Sequence, residues 1–83
     1  MPKQLEGKLV RFEKNGVGVV DVTGIDQYVY FTPKDIDGYV GQTVSELKSN
    51  RHGQKWTDGK TVLIKGDVRP TGNVHVRSVT LKP

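Results

Sequence analysis

Tyr28 and Tyr30 stand two residues apart in the stretch Gln27–Thr32. In a strand, alternate side chains share a face, so the two tyrosines point one way while Val29 and Phe31 point the other. Burying Val29 and Phe31 turns both phenol rings to water. Outward rings beside cations can stack on flat π-systems, while the cations meet phosphate. The candidate cations are Lys8 and Arg11 on a preceding strand and Lys14 in the turn that follows it. Val17 and Val19 fall on the tyrosine side of the middle strand.

A second group lies in Lys48–Lys60, where Arg51, Lys55 and Lys60 surround Trp56, the one tryptophan of the chain. Trp56 has two readings: a stacking platform among cations, or a lid packed over one end of a barrel. Other constellations are weak. Ser49, His52 and Asp58 are close in sequence but have no rigid frame or oxyanion donors. His52 and His75 are too few for zinc, and Gly16-Val17-Gly18 opens a strand, not a phosphate-binding helix. No catalytic residue, metal or cofactor is expected.

The elements that must position these residues are short strands. Leu5–Glu13, Val17–Thr23 and Gln27–Thr32 read as three in succession, with Lys14-Asn15-Gly16 and Gly24-Ile25-Asp26 between them. Asn-Gly favours a tight hairpin because it tolerates positive φ. Val20 and Val22 are assigned inward. The first strand alternates ambiguously, and a bulge or strong twist would split it. Thr32-Pro33-Lys34-Asp35 has the cap, proline and acid of a short helical turn, with Ile36 and Val40 sharing an apolar face. Gln42–Leu47 is read as a further strand and Lys48–Lys60 as a basic loop. Thr61–Arg69 and Asn73–Lys82 are late strands around Pro70-Thr71-Gly72, with Gly66 marking a bend. The apolar phase of the last strand slips after Val76, which predicts a bulge near Arg77-Ser78.

The chain has 83 residues, which implies a single domain over 1–83, with Met1–Leu5 as a loose arm. The absence of cysteine excludes disulfides and thiolate metal sites. No apolar run is long enough to span a bilayer as a helix, and the first residues do not resemble a secretory signal, so a cytoplasmic location is expected. Thirteen basic and nine acidic residues give +4. The charge is uneven: residues 1–47 hold 5 basic and 7 acidic side chains, residues 48–83 hold 8 and 2. Such asymmetry points to a polyanionic partner.

The pattern predicts an all-β fold: a small five- or six-stranded antiparallel barrel, OB-fold-like, with one short helical turn after the third strand. Strand pattern alone leaves OB and SH3-like closure open. Gly7–Phe31 resembles the cold-shock domain and, through it, S1-type domains of the OB-fold set. Leu9-Val10-Arg11-Phe12 stands where that family has Val-Lys-Trp-Phe. Gly16-Val17-Gly18-Val19-Val20 stands for Gly-Phe-Gly-Phe-Ile, and Tyr28-Val29-Tyr30-Phe31 for Phe-Val-His-Phe. Gly41-Gln42-Thr43-Val44 is similar to a Gly-Gln-x-Val segment of S1 domains. The resemblance implies single-stranded RNA or DNA binding, RNA ahead of DNA, with little sequence specificity. Tyr28 and Tyr30 keep rings at two stacking positions, Val17 and Val19 replace two phenylalanines, and Arg11 replaces a tryptophan. The aliphatic substitutions also suit a protein-interaction or self-assembly barrel, with the Val17, Val19, Tyr28, Tyr30 face covered by a protein partner or a second copy.

Overall fold

The computed structural model describes residues 3–49 and 55–82. Among them are five strands: β1 (Lys3–Phe12), β2 (Gly18–Val22), β3 (Val29–Phe31), β4 (Thr61–Val68) and β5 (Val74–Leu81). A 3-10 turn, Pro33–Asp35, follows β3, and a short helix, α1 (Val44–Lys48), precedes β4. The sheet order is β3-β2-β1-β4-β5, with every adjacent pair antiparallel. It curls into a half-barrel. Just past the 3-10 turn, Ile36 bridges Val79 in parallel, and the Asp37 N–H donates to the Val79 carbonyl at 2.9 Å, drawing the chain after β3 against β5. The fold is thus all-β, a small antiparallel barrel with a helical turn after its third strand.

Two bulges make the hydrophobic pattern continuous. Leu9 pairs with Val20 but Arg11 with Val19, so Val10 is the extra residue on β1. Gly7 and Leu9 are buried before it, and Phe12 packs on the core after it, which resolves the ambiguous alternation. On β5, Lys65 pairs with Ser78 but Gly66 with Val76, leaving Arg77 extra. Val74 and Val76 then pack on the core from one side of the bulge, Val79 and Leu81 from the other, as the phase slip predicts. Gly66 sits opposite, where an added Cβ would come within 2.5 Å of the His75 carbonyl oxygen.

The hairpins close as the turn residues dictate. The Gly16 N–H donates to the Glu13 carbonyl at 2.9 Å and the Glu13 N–H to the Val17 carbonyl at 2.7 Å. Gly16 has φ 89°, a left-handed conformation that glycine adopts without strain. Arg69–Asn73 repeats this arrangement, with Gly72 in the position of Gly16.

Three expectations are corrected. Residues 3–5 are not a loose arm: Lys3, Gln4 and Leu5 pair with Gly66, Lys65 and Ile64 of β4. Gln42–Leu47 is not a strand: Thr43 and Glu46 form a capping box, with the Glu46 N–H on Thr43 Oγ1 and the Thr43 N–H on Glu46 Oε1, each at 3.2 Å, and this starts α1. Ile36 is buried, but Val40 is 75% exposed and does not share its contact face.

Phe31 and Trp56 occupy the middle of the core, their ring centroids 6.0 Å apart, and Phe12 meets Phe31 edge-on at 5.9 Å. Gly18 lies flush against Phe31: a Cβ there would fall 2.3 Å from its ring carbons.

Candidate functional site

β3 fixes the tyrosines. Val29 and Phe31 enter the core, so alternation sends Tyr28, at the strand's edge, and Tyr30 outward, and they are 50% and 58% exposed. Residues two apart along a strand lie about 6.7 Å apart, so the rings can serve neighbouring groups of one ligand. The expected direction of these rings is therefore the observed one.

The cross-strand register builds rows beside them. Tyr30 pairs with Val19, and Val19 with Arg11. The register of β2 and β3, continued one step, sets Tyr28 opposite Asp21, which pairs with Lys8. Arg11 binds Glu13, with Nη2 3.0 Å and Nε 3.1 Å from Oε1. Both side chains are exposed, so the pair adds little stability but orients the guanidinium. Lys14 is exposed in the β1–β2 turn, and Val17 is half-buried after it. Around the tyrosines the bases Lys8, Arg11 and Lys14 are thus offset by the acids Glu13, Asp21 and Asp26.

Val19 corrects the sequence reading. It has the outward register but is 0% exposed, and it is not part of the inner core cluster. Arg11 and Tyr30 flank it at cross-strand spacing, and long side chains in those positions cover a valine between them. Val19 is sealed beneath the face and presents no surface of its own.

Trp56 is the larger correction. It is 1% exposed and packed on Phe31, so it is a core residue and not an exposed stacking platform. Its backbone N–H donates to the Leu47 carbonyl at 2.9 Å, which couples the segment to the end of α1. Residues 59 and 60 continue the ladder to β1: the Gly59 N–H donates to Leu9 at 2.7 Å, and the Leu9 N–H to Lys60 at 2.8 Å. Lys60 is therefore across β1 from the tyrosine strand. Lys55 and Lys60 are exposed, and Arg51 lies outside the described residues, as does His52. Lys48 places its Nζ 6.0 Å from the centroid of the Phe12 ring.

A groove of about 400 Å³ lies beside Tyr28, lined by Asp21, Ile25, Asp26 and Gln27. A second, of about 330 Å³, shares Ile25, Asp26 and Gln27 and is walled by Val68, Thr71 and Gly72. Gln27 Nε2 donates to the Thr71 carbonyl at 3.3 Å and ties the β2–β3 loop to the β4–β5 turn. Neither groove was marked in the sequence: the first is walled by residues 21–28 of one stretch, and the second joins residues 24–27 to residues 68–72, far apart in the chain. On the β4–β5 hairpin, Arg77 Nε donates to Asp67 Oδ2 at 2.8 Å. That hydrogen bond holds the Asp67 carboxyl below its ordinary value.

Among the described residues no group of three or more His, Cys, Asp or Glu is placed to hold a metal ion, and no helix is long and apolar enough to cross a membrane. No protein-family model, curated protein or solved structure matches the chain.

Proposed function

We propose that this chain is an OB-type barrel, resembling cold-shock and S1 domains, that binds single-stranded nucleic acid in the cytoplasm, RNA ahead of DNA. The observation that carries the proposal is the pair of rings, Tyr28 and Tyr30, half or more exposed at neighbouring positions beside Arg11. The strand order, with the parallel Ile36–Val79 bridge drawing the segment after β3 to β5, supports the OB reading over SH3-like closure.

In this reading each tyrosine stacks one base, contributing on the order of 1–3 kcal/mol. Arg11 flanks the stack, and Lys8 and Lys14 meet phosphate. Lys55 and Lys60 add charge at longer range. With Trp56 in the core, two rings remain as platforms, so affinity is modest and falls as salt rises. Titration of labelled single-stranded oligonucleotides at low and moderate salt tests this. Binding at low salt that Tyr28→Ala plus Tyr30→Ala abolishes is the expected result. No binding at low salt, or affinity indifferent to both substitutions, overturns it.

The balance of acids and bases around the rings favours a second reading, in which the Val17, Tyr28, Tyr30 face packs on a second copy over the sealed Val19. Sizing by light scattering separates the two: a dimer that Tyr30→Ala dissociates supports self-assembly.

A further inference from the structure

The charge around the tyrosines is mixed, with Lys8 opposite Asp21 and Arg11 bound to Glu13, but the groove beside Tyr28 is lined by acids and by no base. Arg11 and Lys14 lie on β1 and in its turn at the Tyr30 end, while Asp21 and Asp26 line the groove beside Tyr28. Neither carboxylate has a hydrogen bond or ion pair among the described residues, although Lys8 is the cross-strand neighbour of Asp21. Gln27 spends its amide N–H on the Thr71 carbonyl, which leaves its Oε1 free to accept. A ring platform, an apolar wall from Ile25 and three acceptor-bearing side chains thus border one open groove.

We propose that this groove selects the base stacked on Tyr28, and that the preferred base is guanine, read by Asp21 and Asp26. The inference rests on the single-stranded nucleic-acid reading above. A carboxylate accepts through two oxygens and donates nothing. Guanine offers adjacent donors on one edge, the N1–H and the 2-amino group, which match those two oxygens. Adenine and cytosine offer one amino group beside a ring acceptor. Uracil places its N3–H between two carbonyl oxygens, which the carboxylates repel. The same acids repel phosphate from the groove, so the backbone runs along Lys8, Arg11 and Lys14 on the β1 side while the base edge turns toward Asp21 and Asp26. The expected order is guanine, then adenine and cytosine, then uracil.

The test is fluorescence anisotropy with a labelled heptauridylate host carrying one G, A, C or U at its centre, at low salt. The expected result is a G guest about tenfold tighter than the all-U host, the scale of one good bidentate pair. Asp21→Asn with Asp26→Asn brings the G-to-U ratio to within about twofold, while the amide spectrum stays native. The ratio reports selection independently of overall affinity. Equal affinity for all four guests overturns the inference while leaving the proposed function standing, provided Tyr28→Ala plus Tyr30→Ala still removes host binding. A G preference that survives both Asp→Asn changes also overturns it. If no oligonucleotide binds, the proposed function falls and this inference with it.

Discussion

Replacing Trp56 with alanine separates the two roles that a lone tryptophan among lysines can have. The side chain is 1% exposed and stacked at a tilt on Phe31, so truncation removes nearly all of its buried apolar surface. For an indole of about 200 Å² at about 25 cal/mol per Å², the transfer loss is about 5 kcal/mol, and partial collapse of the site brings it to about 3–5 kcal/mol. A domain of 83 residues has a total stability of about 4–12 kcal/mol. The loss therefore takes from about a quarter of that stability to all of it. Urea denaturation followed by far-ultraviolet circular dichroism reads this directly, because the variant has no tryptophan to report by fluorescence. With m of about 1–2 kcal/mol per molar urea, the midpoint falls by about 1.5 M or more. Trp56→Phe keeps a ring against Phe31 and is the milder companion, expected to remain folded with reduced stability. The expected indole emission of the native protein is that of a buried ring, and the expected shift on adding an oligonucleotide is small. Near-native stability in Trp56→Ala, with a loss of oligonucleotide affinity, would refute the burial argument and return Trp56 to the binding surface.

Three further outcomes follow from local geometry. Gly18→Ala puts a Cβ 2.3 Å from the Phe31 ring carbons and costs about 1–3 kcal/mol, measured as a lowered urea midpoint; an unchanged midpoint means that Phe31 has room to move. Thr43→Ala removes the oxygen that caps α1 at Glu46 and costs about 1 kcal/mol by the same measurement. The Asp67 carboxyl is lowered chiefly by its hydrogen bond from Arg77, so its contribution is present above the ordinary carboxylate pKa and is lost as pH falls through the lower folded value. Carboxyl NMR titration of Asp67 checks this: Arg77→Gln raises the midpoint toward that of an ordinary aspartate.

Strand number and order of elements were largely legible because period-2 patterns and glycine turns mark them locally. The phase slip after Val76 even located the β5 bulge, since a one-residue insertion is the simplest way to keep Val76 and Val79 in the same core. Gln42–Leu47 misled because Val44 alternates with polar neighbours, while Thr43-Val44-Ser45-Glu46 also spells a capping box, and the box won. At the candidate site, the outward direction of Tyr28 and Tyr30 followed from the burial of Val29 and Phe31. The fate of Val19 did not, because parity sets a direction and the size of the cross-strand neighbours Arg11 and Tyr30 sets the exposure. Trp56 was ambiguous because composition places it among cations, whereas its partners, Phe31 and Leu47, come from other parts of the chain.

The tyrosine strand is the last in the sheet order and spans three residues, Val29–Phe31, with its ladder to β2 on one side. On its other side, the nearby bridge to β5 falls at Ile36, beyond the strand itself. Such a margin opens at lower free-energy cost than the central β1–β4 ladder, so its amides exchange with deuterium soonest among the strands. Any ligand that rested on Tyr28 and Tyr30 would hold that margin shut by mass action, and the slowing of exchange there would measure its occupancy.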